Sequence, residues 1–301
     1  MNILIAGCGY VGMRAALFWK QSGHSVCAIT RSHSRAEQLR GLGIEPLVAD
    51  LGQRANWPVL PSVNVLLWSV GFDRSAGQTR DAVWVEGYRQ LLQHLSFQDG
   101  GRVLMTSSTG VYGDAQGDIV TEETPATPAS ESGIACLKSE DVLREYSART
   151  RTTSSILRLA GIYGPGRLLR RLDELQNKVP IAAPPDDWLN LVHVDDIVKT
   201  LSFVAEMSNP PELMNVAAAH TATRREYYST LAELTNSPPP VFSDDSETRG
   251  PRVPDSFPAS SGGRRANGNR RVTSVVRSAI GLTFEHENVR SGLVHALSHS
   301  E

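Results

Sequence analysis

Two stretches of the 301-residue chain carry residue types that could do chemistry. The first is a run of hydroxyls, Thr106-Ser107-Ser108-Thr109, followed by Gly110-Val111-Tyr112-Gly113. It continues an apolar strand, Arg102-Val103-Leu104-Met105. The hydroxyls therefore fall at a strand's carboxyl end, where one of them could hold a substrate oxygen. The second stretch is Gly7, Gly9 and Gly12, spaced G-x-G-x-x-G. In that pattern the first glycine permits a tight turn, the second lets the backbone approach a pyrophosphate, and the third lets helix and strand pack closely. A helix predicted from Val11 to about Ser22 offers free N–H groups and the positive end of its dipole. Gly7, Gly9, Tyr10, Val11 and Gly12 thus form the expected phosphate cradle.

The elements that must position these residues read as an alternation of strands and helices. Ile3-Leu4-Ile5 is apolar without alternation, as in a strand buried on both faces. Val26 to Ile29 is predicted as the second strand and ends at Thr30-Arg31-Ser32. An acid there would hydrogen-bond a ribose 2′-hydroxyl; here no carboxylate repels a 2′-phosphate, and Arg31 can pair with it. This predicts NADP as cofactor, with NAD as the alternative and a solvated surface arginine as the bland reading. Ser34 to Leu42 reads as a helix and Pro46 to Ala49 as a strand delivering Asp50-Leu51. Asp50 either accepts a hydrogen bond from the adenine amino group or caps the following turn. Val63 to Trp68 is a strand leading into Ser69-Val70-Gly71, a small-residue turn where a cofactor would pass. A polar loop and a long helix, about Arg80 to Leu95, precede the serine strand.

Further motifs follow in order: Leu157 to Gly166 (LRLAGIYGPG), Asn190 to Ile197 (NLVHVDDI), Asn215-Val216, and Arg270-Arg271-Val272 through Gly292-Leu293. Together with the S-S-T-G-V-Y-G run, they resemble the extended short-chain dehydrogenase/reductases, the NAD(P)-dependent epimerase/dehydratase family. The resemblance implies a Rossmann fold, a nicotinamide cofactor and a sugar-like or nucleotide-linked substrate. It puts Ser108 on the family's catalytic Ser/Thr. Physically, Tyr163-Gly164-Pro165-Gly166 turns the chain out of the sheet. Asp195-Asp196 reads more readily as the cap of a helix starting at Ile197 than as catalytic, and His193 as a structural hydrogen-bonding residue.

The resemblance breaks at one point. The family uses a Tyr-x-x-x-Lys pair on the helix after the serine strand, where a lysine ammonium favours the phenolate. Matching the chain through Glu140 puts Ser132 at the tyrosine position and Cys136 at the lysine position. None of the seven tyrosines has a lysine four residues on, and Lys138 points away from Cys136. The departure resembles an atypical subgroup that keeps the glycine motif and lacks the pair.

Residues 167–188 leave the sheet, with Arg167, Arg170 and Arg171 suited either to phosphate or to a solvated helix face. Thr223 to Thr235, Val272 to Leu282 and Glu287 to Leu297 read as helices, and about 237–269 as a flexible Pro-, Ser- and Gly-rich loop. The expected architecture is α/β: a doubly wound parallel-sheet Rossmann domain over 1–166 and 189–220, and a small, mainly helical substrate-facing part over 167–188 and 221–301. A net charge of −2 gives no electrostatic footprint for nucleic acid. Cys8, Cys27 and Cys136 lack metal-ligand spacing, so no metal is expected, and free thiols imply a reducing compartment. No apolar run reaches membrane-spanning length, and a strand beginning at residue 3 leaves no room for a signal peptide, so the cytoplasm is expected. The expected function is an NAD(P)-dependent oxidoreductase or epimerase acting on a small molecule, with a homodimer expected only from the family. The alternative is a non-catalytic dinucleotide-binding redox sensor or scaffold.

Overall fold

The first strand sits at the centre of a sheet because both of its faces are apolar. Ile3 and Ile5 point to one side, Leu4 and Ala6 to the other, and none is more than 1% exposed. The computed structural model describes residues 1–53, 57–168, 172–243 and 268–299. Seven strands form the main sheet: β1 (Asn2–Ala6), β2 (Ser25–Thr30), β3 (Glu45–Val48), β4 (Val63–Trp68), β5 (Phe97–Ser108), β6 (Thr153–Leu159) and β7 (Leu213–Val216). Their spatial order is β3-β2-β1-β4-β5-β6-β7, and every pairing is parallel. The order reverses between β1 and β4, which opens a crevice at their carboxyl ends.

Helices cover both faces. On one, α1 (Tyr10–Gln21) and α6 (Val194–Glu206) bury Ala15, Ala16, Trp19, Ile197 and Leu201 against Ile3 and Ile5. On the other, α3 (Tyr88–His94) and α4 (Glu131–Thr150) bring Tyr88, Leu91, Leu92 and Leu143 against Leu4 and Ala6. Each fully buried Leu or Ile contributes about 1.5–3 kcal/mol. These two layers leave the loops at the strands' carboxyl ends free to build a site. A short helix, α2 (His33–Gly41), follows β2.

The remaining elements gather beside those ends. α5 (Leu172–Gln176), α7 (Arg224–Leu234) and α9 (Val289–Ser298) share a small core of Leu168, Leu175, Tyr227, Leu231 and Leu293 with Tyr163. Residues Gly161–Tyr163 pair in parallel with Leu191–His193, and Trp188–Leu189 pair antiparallel with Ala222–Thr223. The stretch predicted as one helix over Val272–Leu282 is instead a strand, Arg271–Val272, then α8 (Val275–Ala279). Arg271–Val272 extends beside Ile119–Val120, and this long-range pairing overrides the local helical pattern. The helix expected over Arg80–Leu95 opens as a π-helix, Asp81–Gly87, before becoming α3. Most of the expected loop, 244–267, and residues Arg170 and Arg171 lie outside the described residues. Among the described residues no helix is long and apolar enough to cross a membrane.

Candidate functional site

The three glycines do three different things. Gly7 has φ +93°, and a Cβ there would stand 2.3 Å from the Ser69 carbonyl oxygen. Its backbone is pressed against the Ser69-Val70 turn, and the Ser69 N–H donates to the Ala6 carbonyl at 2.8 Å. A Cβ on Gly12 would meet the Gly7 carbonyl oxygen at 2.2 Å, which closes helix onto strand. Gly9 differs: a Cβ there would meet nothing within 4 Å. It is also the N-cap of α1 and provides no side chain to the helix's first N–H groups. An open, uncapped, positively polarised helix end is what a pyrophosphate requires, so the loop fits the phosphates of a dinucleotide. Tyr10, the first residue of α1, turns away: its hydroxyl donates to the Pro165 carbonyl at 3.0 Å and its ring lies under the Arg14 guanidinium at 4.0 Å.

At the adenosine side, Arg31 is engaged. Its guanidinium donates to Asp73 Oδ2 at 2.7 Å, and both side chains are nearly half exposed. Hydrogen bonds from Ser75, then from Arg31, hold the Asp73 carboxyl down at about 2. The end of β2 lacks an acid of its own, but the loop after β4 supplies one, and that position was not anticipated. Arg35, also missed, reaches from α2 to the Cys8 carbonyl at 3.2 Å and so lies on the glycine loop. Asp50 serves its own turn: Oδ1 accepts the Gly52 N–H at 2.9 Å, while Oδ2 accepts from the Gln78 amide at 3.0 Å. The adjoining Leu51 is buried, and its carbonyl oxygen would stand 2.2 Å from a Cβ on Gly87.

Two strands over, the hydroxyl run at the end of β5 divides its work. Ser107 is buried and donates to Glu140 Oε1 at 2.6 Å. Thr106 donates to the Trp68 carbonyl at 3.2 Å. Ser108 is partly exposed, and its Oγ accepts the Gly110 N–H at 3.1 Å. Its own proton has no acceptor among the described residues. Alone of the three, Ser108 can donate to a ligand in the crevice.

The first turn of α4 packs directly on this stretch: a Cβ on Gly133 would lie 2.7 Å from the Gly110 carbonyl oxygen. Ser132 is exposed there, 3.2 Å from the N-cap hydroxyl of Ser130. One turn on, Cys136 is partly buried; burial first, and the Glu140 charge second, push its thiol up to about 12. That thiol stays protonated and cannot stand in for an ammonium. The Arg80 charge acts on it in the opposite sense and lowers the thiol against those two effects. Arg80 lies 3.4 Å from Glu131 Oε2 and stacks on Phe72 at 4.6 Å. No sequence signal could have shown this, because 51 residues separate Arg80 from Glu131. Lys138 faces away, paired with Asp81 at 2.5 Å.

Behind the hydroxyls, Glu140 and Arg158 form a buried two-pronged ion pair, with Nε at 3.0 Å from Oε1 and Nη2 at 2.7 Å from Oε2. Burial raises the Glu140 carboxyl, but the Arg158 bonds and charge, with Ser107, bring it below its ordinary value. Arg158 stacks on Tyr112, whose hydroxyl donates to Asn215 Oδ1 at 2.8 Å. Tyr112 is buried and so committed that it does not face the crevice. Asn215 in turn donates to the Thr273 carbonyl at 2.9 Å, which joins the serine strand to the C-terminal segment.

The NLVHVDDI segment is arranged differently from the expectation. α6 begins at Val194, and its N-cap is His193, whose Nδ1 accepts the Asp195 N–H at 3.3 Å. The aspartates therefore do not cap it. Buried Asp196 accepts the backbone N–H groups of Glu285 and His286 at 2.7 and 3.1 Å, tying a distant loop to α6. Asp195 turns instead toward His193 and His295.

Residues 3–217 match the model of the NAD dependent epimerase/dehydratase family. Protein YeeZ of Escherichia coli strain K12 is 28% identical over 246 residues, covering 80% of this chain and 86% of that protein. A functionally unknown conserved protein from Silicibacter pomeroyi has a solved structure with a TM-score of 0.77 and 25% identity, covering 100% of this chain and 99% of its own. The Bacillus cereus UDP-glucuronic acid 4-epimerase, solved with UDP-glucuronic acid and NAD, shares the fold at a TM-score of 0.73 and 16% identity, over 99% of this chain and 98% of its own.

Proposed function

The chain belongs to the NAD dependent epimerase/dehydratase family, and on that premise we propose that it is an oxidoreductase or epimerase that takes NADP(H) in preference to NAD(H) and acts on a sugar-like or nucleotide-linked alcohol. One observation carries the reading. The open, uncapped helix end at Gly9 lies on the same sheet edge as Ser108, whose proton is uncommitted. The substrate class comes by analogy with relatives that share the fold and bind UDP-sugars.

Gly7, Gly9, Tyr10, Val11 and Gly12 would hold the pyrophosphate, and Ser69 and Val70 would flank it. Arg31 would exchange Asp73 for the 2′-phosphate, with Arg35 adding positive charge at the glycine loop. Asp50 keeps lone pairs beyond those used by Gly52 and Gln78 for the adenine amino group, and Leu51 adds apolar packing. When bound, a nicotinamide supplies hydride uptake and return. Ser108 donates to the substrate oxygen. By the family resemblance, Ser132 and Cys136 stand where the Tyr and Lys would be; Arg80 then provides the positive charge, and the exposed Ser132–Ser130 hydroxyl pair offers that oxygen a proton path to water.

A second reading, a dinucleotide-binding redox sensor, draws support from the neutral Cys136 thiol at the position of the family's lysine and from the commitment of the Tyr112 hydroxyl to Asn215. The two separate in one experiment. Protein supplied with NADP+ is offered a panel of nucleotide sugars, and reduced nicotinamide and epimerised product are followed. Turnover that falls at least about 100-fold in S108A supports the enzyme. Cofactor binding with no turnover of any sugar, and no effect of S108A, supports the sensor.

A further inference from the structure

Away from the Ser108 crevice, four side chains from three parts of the chain converge behind the Tyr163-Gly164-Pro165 turn. His193 ends the short Leu191–His193 strand, Asp195 lies in the first turn of α6, His286 precedes α9 and His295 lies on α9. One donor atom from each lies within 4.8 Å of all the others. The rings of His193 and His286 are 4.0 Å apart between centroids, those of His193 and His295 5.1 Å, and those of His286 and His295 4.8 Å. Three imidazoles this close need a reason, since nothing in packing alone favours bringing polar rings together.

The polar inventory sharpens the point. His193 is fully buried and His286 only 8% exposed. His193 Nε2, His286 Nδ1 and His295 Nδ1 are all buried without a hydrogen-bond partner among the described residues. Buried nitrogens without a partner are destabilising, and here three fall in one cluster. Asp195 Oδ2 stands 3.5 Å from His193 Nδ1 and 3.7 Å from His295 Nδ1. A tetrahedron with metal–ligand bonds of about 2.0–2.1 Å has edges of roughly 3.4 Å, so small side-chain movements close the set.

We propose that His193, Asp195, His286 and His295 form a binding site for a borderline divalent cation, Zn2+ foremost. Three imidazoles and a carboxylate suit zinc, and four protein ligands make a closed, structural site rather than a catalytic one. The ion joins the C-terminal segment to the start of α6, where Asp196 already holds the backbone of Glu285 and His286 and adds a second negative charge beside the ligands. Cysteine spacing could not reveal the site, because none of its ligands is a cysteine and 90 residues lie between Asp195 and His286.

The test uses the untagged full chain, stripped with a chelator and titrated with Zn2+ against a chromogenic competitor, then with Co2+ for its visible spectrum. The expected result is one Zn2+ per chain, an intense four-coordinate Co2+ spectrum, and affinity at least about 100-fold weaker in H286Q and in H295Q, with H33Q unchanged. Half-exposed D195N and H295Q decide the matter if H286Q fails to fold. The proposal is overturned if the chain takes up no stoichiometric Zn2+, or if it binds Zn2+ equally well in the folded ligand variants.

Discussion

At the residue scale, the glycine motif separates structure from binding. Gly7 has positive φ and no room for a Cβ, whereas Gly9 is open. G7A should therefore lower the melting temperature strongly, and G9V should stay folded while losing dinucleotide affinity; differential scanning calorimetry beside a binding titration checks both. Arg31 makes the second case. Its pair with Asp73 is exposed and worth little to stability, but Asp73 competes with any 2′-phosphate. D73N should tighten NADPH binding several-fold without moving NADH, and R31D should abolish the preference. The tight turn at Gly7 and the helix that follows it were legible in the sequence because their logic is local. Asp73, Arg35 and Arg80 were not, because each acts on a residue brought near only by the fold.

At the element scale, α4 is locked to β6 by the Glu140–Arg158 pair, neither side chain more than 4% exposed. Removing one partner of such a pair leaves the other charge buried, so E140Q should cost about 3–5 kcal/mol in denaturant unfolding. The pH dependence has a definite sign. The folded Glu140 carboxyl lies below its unfolded value of about 4.3, so its contribution is complete above that pH and is lost as pH falls through the folded value. The wild type should lose stability on that acid limb, and E140Q should lose less. The strands of the main sheet could be read from apolar runs and their turns. The start of α6 could not, because a histidine rather than Asp195 or Asp196 caps it, and Val272 was misplaced because its partner Val120 lies far back in the chain.

At the scale of the whole molecule, the C-terminal segment is held to the Rossmann sheet by a few buried polar ties. Asp196 is the clearest of them, and D196A would strand the Glu285 and His286 N–H groups. A loss of about 1–3 kcal/mol is expected, with hydrogen exchange accelerating first around residues 285–286. The crevice between β1 and β4 is the dinucleotide site we propose, tuned toward NADP(H). The most direct measurement is calorimetric titration of wild type and G9V with NADPH and with NADH. Both should bind the wild type, NADPH about tenfold more tightly, a difference of ~1.4 kcal/mol, and G9V should bind neither. Failure of both cofactors to bind the folded wild type, or undiminished binding by G9V, would contradict it.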